Sequence, residues 1–273
     1  MKIYLDQNII TRLDGNILDK IQLSRKKGYK YFYSFGHIYD LLSAEEIYWL
    51  DELKKIERVT DNNMVRIIEN KNKLIPYNVF PTSHIEKMKC NQNDILNYNI
   101  FDINSIDDYI LKKFNIRDIE IRNKLVISTN NMLNIMKSSN DYKDLRNKLK
   151  TENVSLDEFK YILNETSIKT FNNNMMAIMS SIYDFIDILD ENYDNLKEKL
   201  KMNIKNINGD FYHCLHATYC DYFVTNDNKL LNKAIFVYDL MNQDFIRKKI
   251  NINYIKTISI SLNDFEKILY QLK

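Results

Sequence analysis

The first 58 residues alternate between strand-like and helix-like hydrophobic patterns. KIYL (residues 2–5) and YKYFYSF (29–35) are short apolar runs of β-prone residues. Between them, apolar residues recur at helical spacing, and Gly28 stands where a C-terminal cap would fall. Two buried strands joined by a helical crossover form a parallel βαβ unit, because a tight hairpin joins only antiparallel neighbours. The pattern therefore predicts strand, helix and parallel strand.

The hydrophobic pattern becomes helical after the second strand. Residues 36–56 predict one helix with an apolar stripe formed by Ile38, Leu41, Leu42, Ile47, Leu50 and Leu53. From residue 60 to residue 200 the pattern is almost wholly helical, with helix starts at SIDDYI (105–110) and SLDEFKYIL (155–163). The exception is LIPYNVFPTS (74–83), which contains both prolines and predicts a loop or an extended connection.

Strand-like segments return after residue 205. Strands are predicted at DYFVTN (221–226) and YIKTISI (254–260). Helices are predicted around them at 209–220, 227–241 and 261–272. We therefore expect an α/β fold in which residues 1–58 and 203–273 together form a parallel sheet with flanking helices. Residues 59–202 would form a large, all-helical insertion.

Composition limits the classes of function. The 39 basic and 37 acidic residues give a net charge of +2, so a polyanion site would have to be local. No apolar run reaches the roughly 18 residues that a membrane span needs, and we expect a soluble, cytoplasmic chain without a membrane partner. The three cysteines show no C-x-x-C spacing, so we expect free and largely buried thiols rather than a disulfide framework or a zinc site.

Four aspartates fall at the ends of predicted strands or at the starts of helices. Asp6 and Asp227 directly follow predicted strands, Asp40 lies one turn into the helix after the second strand, and Asp210 begins a helix. Ligands of parallel α/β sheets bind outside the carboxyl ends of the strands. The four carboxylates would converge there if the strand at 2–5 is a neighbour of the strand before Asp227.

Four carboxylates in one cleft repel each other unless a cation neutralises them. The sequence supplies no four matched arginines or lysines beside these acids. Oxygen ligands suit Mg²⁺ or Mn²⁺, and a pair of such ions can activate a water molecule and stabilise the leaving oxygen of a phosphodiester. The constellation predicts a metal-dependent nuclease.

The order of these motifs resembles the PIN-domain nucleases. The similarity is carried by YLDQN, YSFGHIYDLL and GDFYHCLHATYCDYFVTNDNKLL, together with the closing KTISISLNDFEKIL. Asp6, Asp40, Asp210 and Asp227 match the four family acids, although the family more often has Glu at the position of Asp40. Ala217 matches the small helix residue and Thr225 the hydroxyl residue before the last acid. The long segment between residues 60 and 200 departs from compact members of the family.

The resemblance implies a Mg²⁺- or Mn²⁺-dependent endoribonuclease with a PIN-like fold. The implied metal ligands are Asp6, Asp210 and Asp227, with Asp40 assisting. The supporting candidates are Asn8, Thr225, Asn226, His37 and His213. The RNA substrate comes from the resemblance alone, as do a toxin or phage-defence role, an inhibitory protein partner and assembly into a homo-oligomer.

Other interpretations of the same residues stay open. Asp6, Asp210 and Asp227 could each cap a helix, Asp40 could be an exposed helix acid, and Asp221 is a turn residue. The chain could be a non-catalytic module that binds nucleic acid or protein, or a metal-dependent phosphatase or DNA nuclease.

The histidines near these acids have two interpretations. His37 and His213 could act as general acids or transition-metal ligands, but packing or hydrogen bonding to a ligand is the interpretation we favour. His216 could be an exposed helix residue, and we identify no partner for His84.

Overall fold

The structure is a computed structural model that describes residues 1–68, 71–92, 95, 174–190, 208–242 and 244–271. The chain divides into two compact units, one formed by Met1–Tyr98 with Lys205–Lys273 and the other by Asn99–Ile204. Within the second unit the described residues form one helix. The predicted helix starts at 105 and 155 lie outside the described residues.

The first unit contains a six-stranded sheet. Its strands are β1 (Lys2–Leu5), β2 (Lys30–Ser34), β3 (Asn63–Ile68), β4 (Lys73–Asn78), β5 (Tyr222–Val224) and β6 (Ile258–Ile260). They are arranged in the order β4-β3-β2-β1-β5-β6. Every pairing is parallel except that of β3 with β4, so the sheet is mixed and mostly parallel.

Helices flank this sheet. In chain order, the helices of the first unit are α1 (Gln7–Arg12), α2 (Gly15–Lys26), α3 (Phe35–Ser43), α4 (Trp49–Thr60), α5 (Pro81–Lys89), α7 (208–217), α8 (Asn228–Met241), α9 (Asp244–Ile250) and α10 (Leu262–Tyr270). The described helix of the second unit is α6 (Met175–Asp190). A short 3-10 turn, Glu46–Tyr48, precedes α4. In the part of the chain that the structure describes, no helix is long and apolar enough to cross a membrane.

The central strands are buried on both faces, which explains their continuous apolar sequences. Three of the four residues of β1 and four of the five residues of β2 are buried. Strands of parallel sheets are covered by helices on both sides and therefore lack the alternation of a half-exposed strand. The α/β class and the parallel neighbours β1 and β2 are confirmed.

The strand that precedes Asp227 lies directly beside β1. Ile3, Tyr4 and Leu5 pair in parallel with Tyr222, Phe223 and Val224. The backbone N–H of Asp6 donates to the carbonyl of Val224 at 2.9 Å, so the pairing continues to the carboxyl end of both strands. The expected neighbourhood of these two strands is confirmed.

Residues 63–68 form a strand where the pattern predicted a helix, whereas residues 74–78 lie in the segment for which it predicted a loop or an extended connection. They form β3 and β4, an antiparallel pair at one edge of the sheet, inside the range where we expected an all-helical insertion to have begun. Pro76 lies in the edge strand β4, where a missing N–H is tolerated. The sheet therefore takes in residues well beyond the predicted boundary at residue 58.

The predicted helix over 36–56 is interrupted. α3 ends at Ser43, and Ala44 has an extended backbone before the short turn that leads into α4. Ile47 is 78% exposed and Leu50 is 58% exposed, so neither belongs to the buried stripe that we predicted. Cys90 is exposed as well, whereas Cys214 and Cys220 are buried as expected.

Candidate metal centre

Asp6 lies at the carboxyl end of β1, in the N-cap position of α1. Its backbone is extended, yet its side chain makes no capping hydrogen bond to α1. The carboxylate turns toward β5 instead. There its Oδ2 accepts a hydrogen bond from Thr225 Oγ1 at 2.9 Å and a longer one from Asn8 Nδ2 at 3.4 Å. The capping interpretation therefore does not describe Asp6, which is only 2% exposed.

Asp40 and His213 meet Asp6 from two different helices. The imidazole of His213, on α7, places Nε2 at 2.8 Å from Oδ2 of Asp40, on α3. The same nitrogen lies 3.7 Å from Oδ1 of Asp6. One ligand atom from each of these three residues lies within 4.8 Å of the other two. Asp6, Asp40 and His213 are therefore close enough to share one cation.

Two glycines allow α3 and α7 to approach this closely. A Cβ at Gly36 would lie 3.1 Å from both the backbone nitrogen and Nδ1 of His213. A Cβ at Gly209 would collide with Oδ1 of Asp40. Each glycine thus leaves room for the functional side chain of the opposite helix.

Asp210 follows Gly209 and lies beside the same cluster. Burial and then the charge of Asp6 raise the pKa of Asp210 to about 8, while the nearby Lys233 acts in the opposite direction. The charge of Asp40 also raises the pKa of this carboxyl, and the charge of His213 lowers it. Three of the four predicted acids, Asp6, Asp40 and Asp210, thus converge at the carboxyl edge of the sheet.

Asp227 has a different role in the structure. Its Oδ1 accepts hydrogen bonds from the backbone N–H groups of Lys229 at 2.7 Å and Leu230 at 3.1 Å, which makes it the N-cap of α8. It is not a member of the cluster formed by Asp6, Asp40 and His213. The capping interpretation describes Asp227 in this structure.

The electrostatics of the cluster follow from burial and mutual repulsion. Burial raises the pKa of Asp6, Asp40 raises it further, and His213 opposes both. For His213, burial alone would lower the pKa, but the neighbouring carboxylates, led by Asp40, raise it to about 9. The metal-free cluster is therefore held together by a protonated imidazole between carboxylates.

Two basic side chains accompany the acids, although the sequence showed no four matched arginines or lysines beside them. His213 is one. The other is Lys233, which is 4% exposed in an otherwise apolar buried face of α8 and whose charge reaches Asp210. Lysine is rarely buried without a charged partner. A lysine among Leu230, Ala234 and Val237, on the apolar face of a predicted helix, is the feature of the sequence that indicates such a buried charge.

Tyr4 is a further residue of the site that the sequence did not point to. Its hydroxyl lies 2.8 Å from Nδ1 of His213, 2.6 Å from Oγ of Ser34 and 3.2 Å from Nδ1 of His37. A buried tyrosine hydroxyl requires hydrogen-bond partners. Because Tyr4 lies on a predicted buried strand two positions before Asp6, this requirement could have identified it from the sequence as a residue of the site.

The other supporting candidates differ in their roles. Thr225 connects two of the acids, because its hydroxyl donates to Asp6 and accepts from the backbone N–H of Asp227 at 3.1 Å. His37 lies behind the cluster, where its Nε2 is 2.8 Å from the carbonyl oxygen of Leu5. Burial holds the pKa of His37 well below its usual value, so this imidazole is neutral. Asn226 is exposed.

Three further residues of the sequence analysis lie outside the cluster. His216 is buried and its Nδ1 lies 2.7 Å from the carbonyl oxygen of Tyr212, so the interpretation as an exposed residue is wrong. His84 is also buried, against the rings of Tyr33 and Phe35. Asp221 lies at the opposite end of β5, where its carboxylate accepts from the backbone N–H of Lys2 at 2.7 Å.

Comparison of the chain with protein-family models, curated proteins and solved structures found no match. The grounds for a function are therefore the chemistry of the cluster and the motifs of the sequence.

Proposed function

We propose that the chain is a Mg²⁺- or Mn²⁺-dependent endoribonuclease of the PIN-like type, which hydrolyses RNA phosphodiester bonds at the site where Asp6, Asp40 and Asp210 lie. The observation that carries the proposal is the convergence of these three carboxylates, with His213 among them, at the carboxyl edge of a mostly parallel sheet. Ligands of α/β folds bind at this edge. The order of the acids along the chain, which resembles the PIN-domain nucleases, supports the choice of reaction.

The donor atoms fit a divalent cation. Two ligands at about 2.1 Å from one ion lie about 3 Å apart when adjacent and about 4.2 Å apart when opposite in octahedral geometry. The separations of His213 Nε2 from the carboxylates, 2.8 Å to Asp40 and 3.7 Å to Asp6, do not exceed the larger of these two distances. Burial is the main cause of the raised pKa values of Asp6 and Asp210, so the ionised forms of these carboxyls are poorly stabilised by the protein alone. A divalent cation would stabilise them.

The residues of the site would have different roles in binding the ion. Asp6 and Asp40 would hold the ion, and Asp210 would complete the acidic ligand set once its proton is displaced. Thr225 fixes the orientation of the Asp6 carboxylate through its hydrogen bond to Oδ2. When bound, the ion would lower the pKa of a water molecule and stabilise charge on the phosphate oxygens. Asp227 would contribute indirectly, by capping α8 and bonding to Thr225.

The test is cleavage of single-stranded RNA by purified protein with Mn²⁺, with Mg²⁺ and with a chelator. We expect metal-dependent cleavage by the wild type and a loss of at least about 100-fold in Asp6→Asn and Asp210→Asn, because each removes a charged ligand. Asp221→Asn is the matched control, since Asp221 lies at the opposite end of β5. DNA of the same sequence separates a ribonuclease from a deoxyribonuclease.

Cleavage that persists in chelator or in both variants would contradict the proposal. A structural observation favours a second candidate, the non-catalytic module: His213, whose pKa is raised to about 9, already pairs with Asp40 at 2.8 Å without a metal. This alternative predicts that neither Mn²⁺ nor Mg²⁺ raises the melting temperature of the wild-type protein.

A further inference from the structure

The hydrogen bonds around Tyr4 have a defined direction. The backbone N–H of Ser34 donates to Nδ1 of His37 at 3.1 Å, so that nitrogen is an acceptor. The proton of His37 is therefore on Nε2, which donates to the carbonyl of Leu5. Both Nδ1 of His37 and Oγ of Ser34 can accept from the hydroxyl of Tyr4.

These bonds allow the hydroxyl of Tyr4 to accept a hydrogen bond from Nδ1 of His213. Since Tyr4 can give its own proton to Ser34 or His37, its oxygen is free to accept the Nδ1–H of His213 at 2.8 Å. The hydroxyl of Tyr4 thereby fixes the orientation of the His213 ring through Nδ1. Its other nitrogen, Nε2, points at the carboxylates of Asp40 and Asp6.

This is the arrangement of a metal-binding histidine. Histidines that ligate metals almost always donate their second ring N–H to an oxygen acceptor, which fixes the orientation and the tautomer of the ring. The hydroxyl of Tyr4 is that acceptor, and it is itself fixed by Ser34 and His37 from β2 and α3. All four side chains are buried, so water does not compete for these bonds.

We propose that Nε2 of His213 is a direct ligand of the metal ion held by Asp6 and Asp40, and that Tyr4 is the positioning residue that holds this imidazole. The inference rests on the proposed metal centre and adds to it a nitrogen ligand. Imidazole favours transition-metal ions, whereas Mg²⁺ prefers oxygen ligands alone. The site therefore selects Mn²⁺ over Mg²⁺.

The experiment is pulsed electron paramagnetic resonance of Mn²⁺ bound to the full chain without RNA. A directly ligated imidazole gives a nitrogen hyperfine coupling that changes when histidine is labelled with heavy nitrogen. We expect this coupling in the wild type and its loss in His213→Gln, whose amide can still bond to Asp40. His216→Gln, one turn later on α7, is the matched control and should keep the coupling.

Affinity measurements test the role of Tyr4 and the choice of metal. Tyr4→Phe keeps the ring and removes only the hydroxyl, so we expect it to keep the nitrogen coupling and to weaken Mn²⁺ binding by about 10- to 100-fold, the effect of losing an outer partner of a metal ligand. In competition with Mg²⁺, the preference of His213→Gln for Mn²⁺ should fall by about 10-fold or more.

The outcomes separate this inference from the proposed function. Mn²⁺ bound to the wild type without nitrogen coupling would overturn the inference and leave an oxygen-ligated centre. Mn²⁺ binding that Asp6→Asn does not weaken would overturn both. Even where His213→Gln does not fold, absence of the coupling in wild type with labelled histidine overturns the inference.

Discussion

The carboxylate of Asp40 lies against Gly209, in the space that a Cβ at position 209 would occupy. This contact joins α3 to α7 and leaves the other oxygen of Asp40 directed at Nε2 of His213. The chain contains four glycines. Two of them, Gly36 and Gly209, lie at this helix crossing, so close approach of the backbone is part of how the site is built.

Gly209→Ala should therefore damage both the fold and the metal centre. The added Cβ forces Asp40 away from its position, and overpacking of this kind costs about 1–3 kcal/mol of unfolding free energy. We expect lower stability in urea denaturation and weaker Mn²⁺ binding by calorimetry. Gly15→Ala is the control, because a Cβ at Gly15 meets nothing within 4 Å. Equal losses in the two variants would contradict this account of Gly209.

Asp210→Asn should stabilise the metal-free protein while it weakens metal binding. Burial and the charge of Asp6 raise the pKa of Asp210 from 3.8 to about 8, so the cost of ionising it opposes folding increasingly between these pH values and fully above pH 8. A neutral amide of the same shape removes the repulsion, and we expect a gain of about 1–2 kcal/mol at pH 8.5. Urea denaturation in chelator measures the gain. A loss of stability would show that Asp210 makes a structural contribution instead.

The parallel part of the sheet was predictable because burial leaves a direct trace in the sequence. KIYL and the run at 29–35 are apolar at nearly every position, as expected for strands covered on both faces. The position of Asp6 at a strand end followed from the same pattern. β3 and β4 were missed because β4 contains Pro76 and is largely exposed, so its sequence lacks the features of a central strand.

The partners of the acids were not predictable in the same way. Spacing showed that Asp6 and Asp210 could reach one edge of the sheet, but not that His213 would lie between Asp6 and Asp40. That placement depends on the distance between α3 and α7, which Gly36 and Gly209 set through tertiary contact. Asp227 fits a cap and a ligand equally well by sequence, since both roles favour an acid before a helix.

The stability of the metal-free protein should fall as the pH rises from 6.5 to 9. His213 has a pKa of about 9 in the folded protein against 6.5 ordinarily, and Asp210 about 8 against 3.8, so the folded state binds more protons in this range. The stabilisation from His213 is complete below pH 6.5 and is lost as the pH passes 9. The expected slope is up to about 2.7 kcal/mol per pH unit below pH 8, where both groups contribute, and up to about 1.4 kcal/mol per pH unit between pH 8 and 9.

Saturating Mn²⁺ should flatten this pH dependence, because the ion compensates the carboxylates in place of protons. The measurement is urea denaturation at intervals between pH 6.5 and 9, in chelator and in Mn²⁺. A metal-free profile that rises across this range would contradict the protonation of His213 in the folded state.

His84→Phe should stabilise the protein in mild acid. His84 is buried beside the rings of Tyr33 and Phe35, and within the described residues its Nδ1 has no hydrogen-bond partner. Burial lowers the pKa of His84 to about 4, so the unfolded chain binds a proton that the folded protein excludes between pH 4 and 6.5. Phenylalanine removes both the unpaired nitrogen and this linkage, and we expect a gain of about 1–2 kcal/mol at pH 5 and a smaller gain at pH 7.5. Thermal denaturation at the two pH values measures the difference.

His216→Phe is the contrasting variant and should destabilise, because it removes the hydrogen bond to the carbonyl of Tyr212. Destabilisation by His84→Phe at both pH values would show that the imidazole of His84 makes a favourable polar contact.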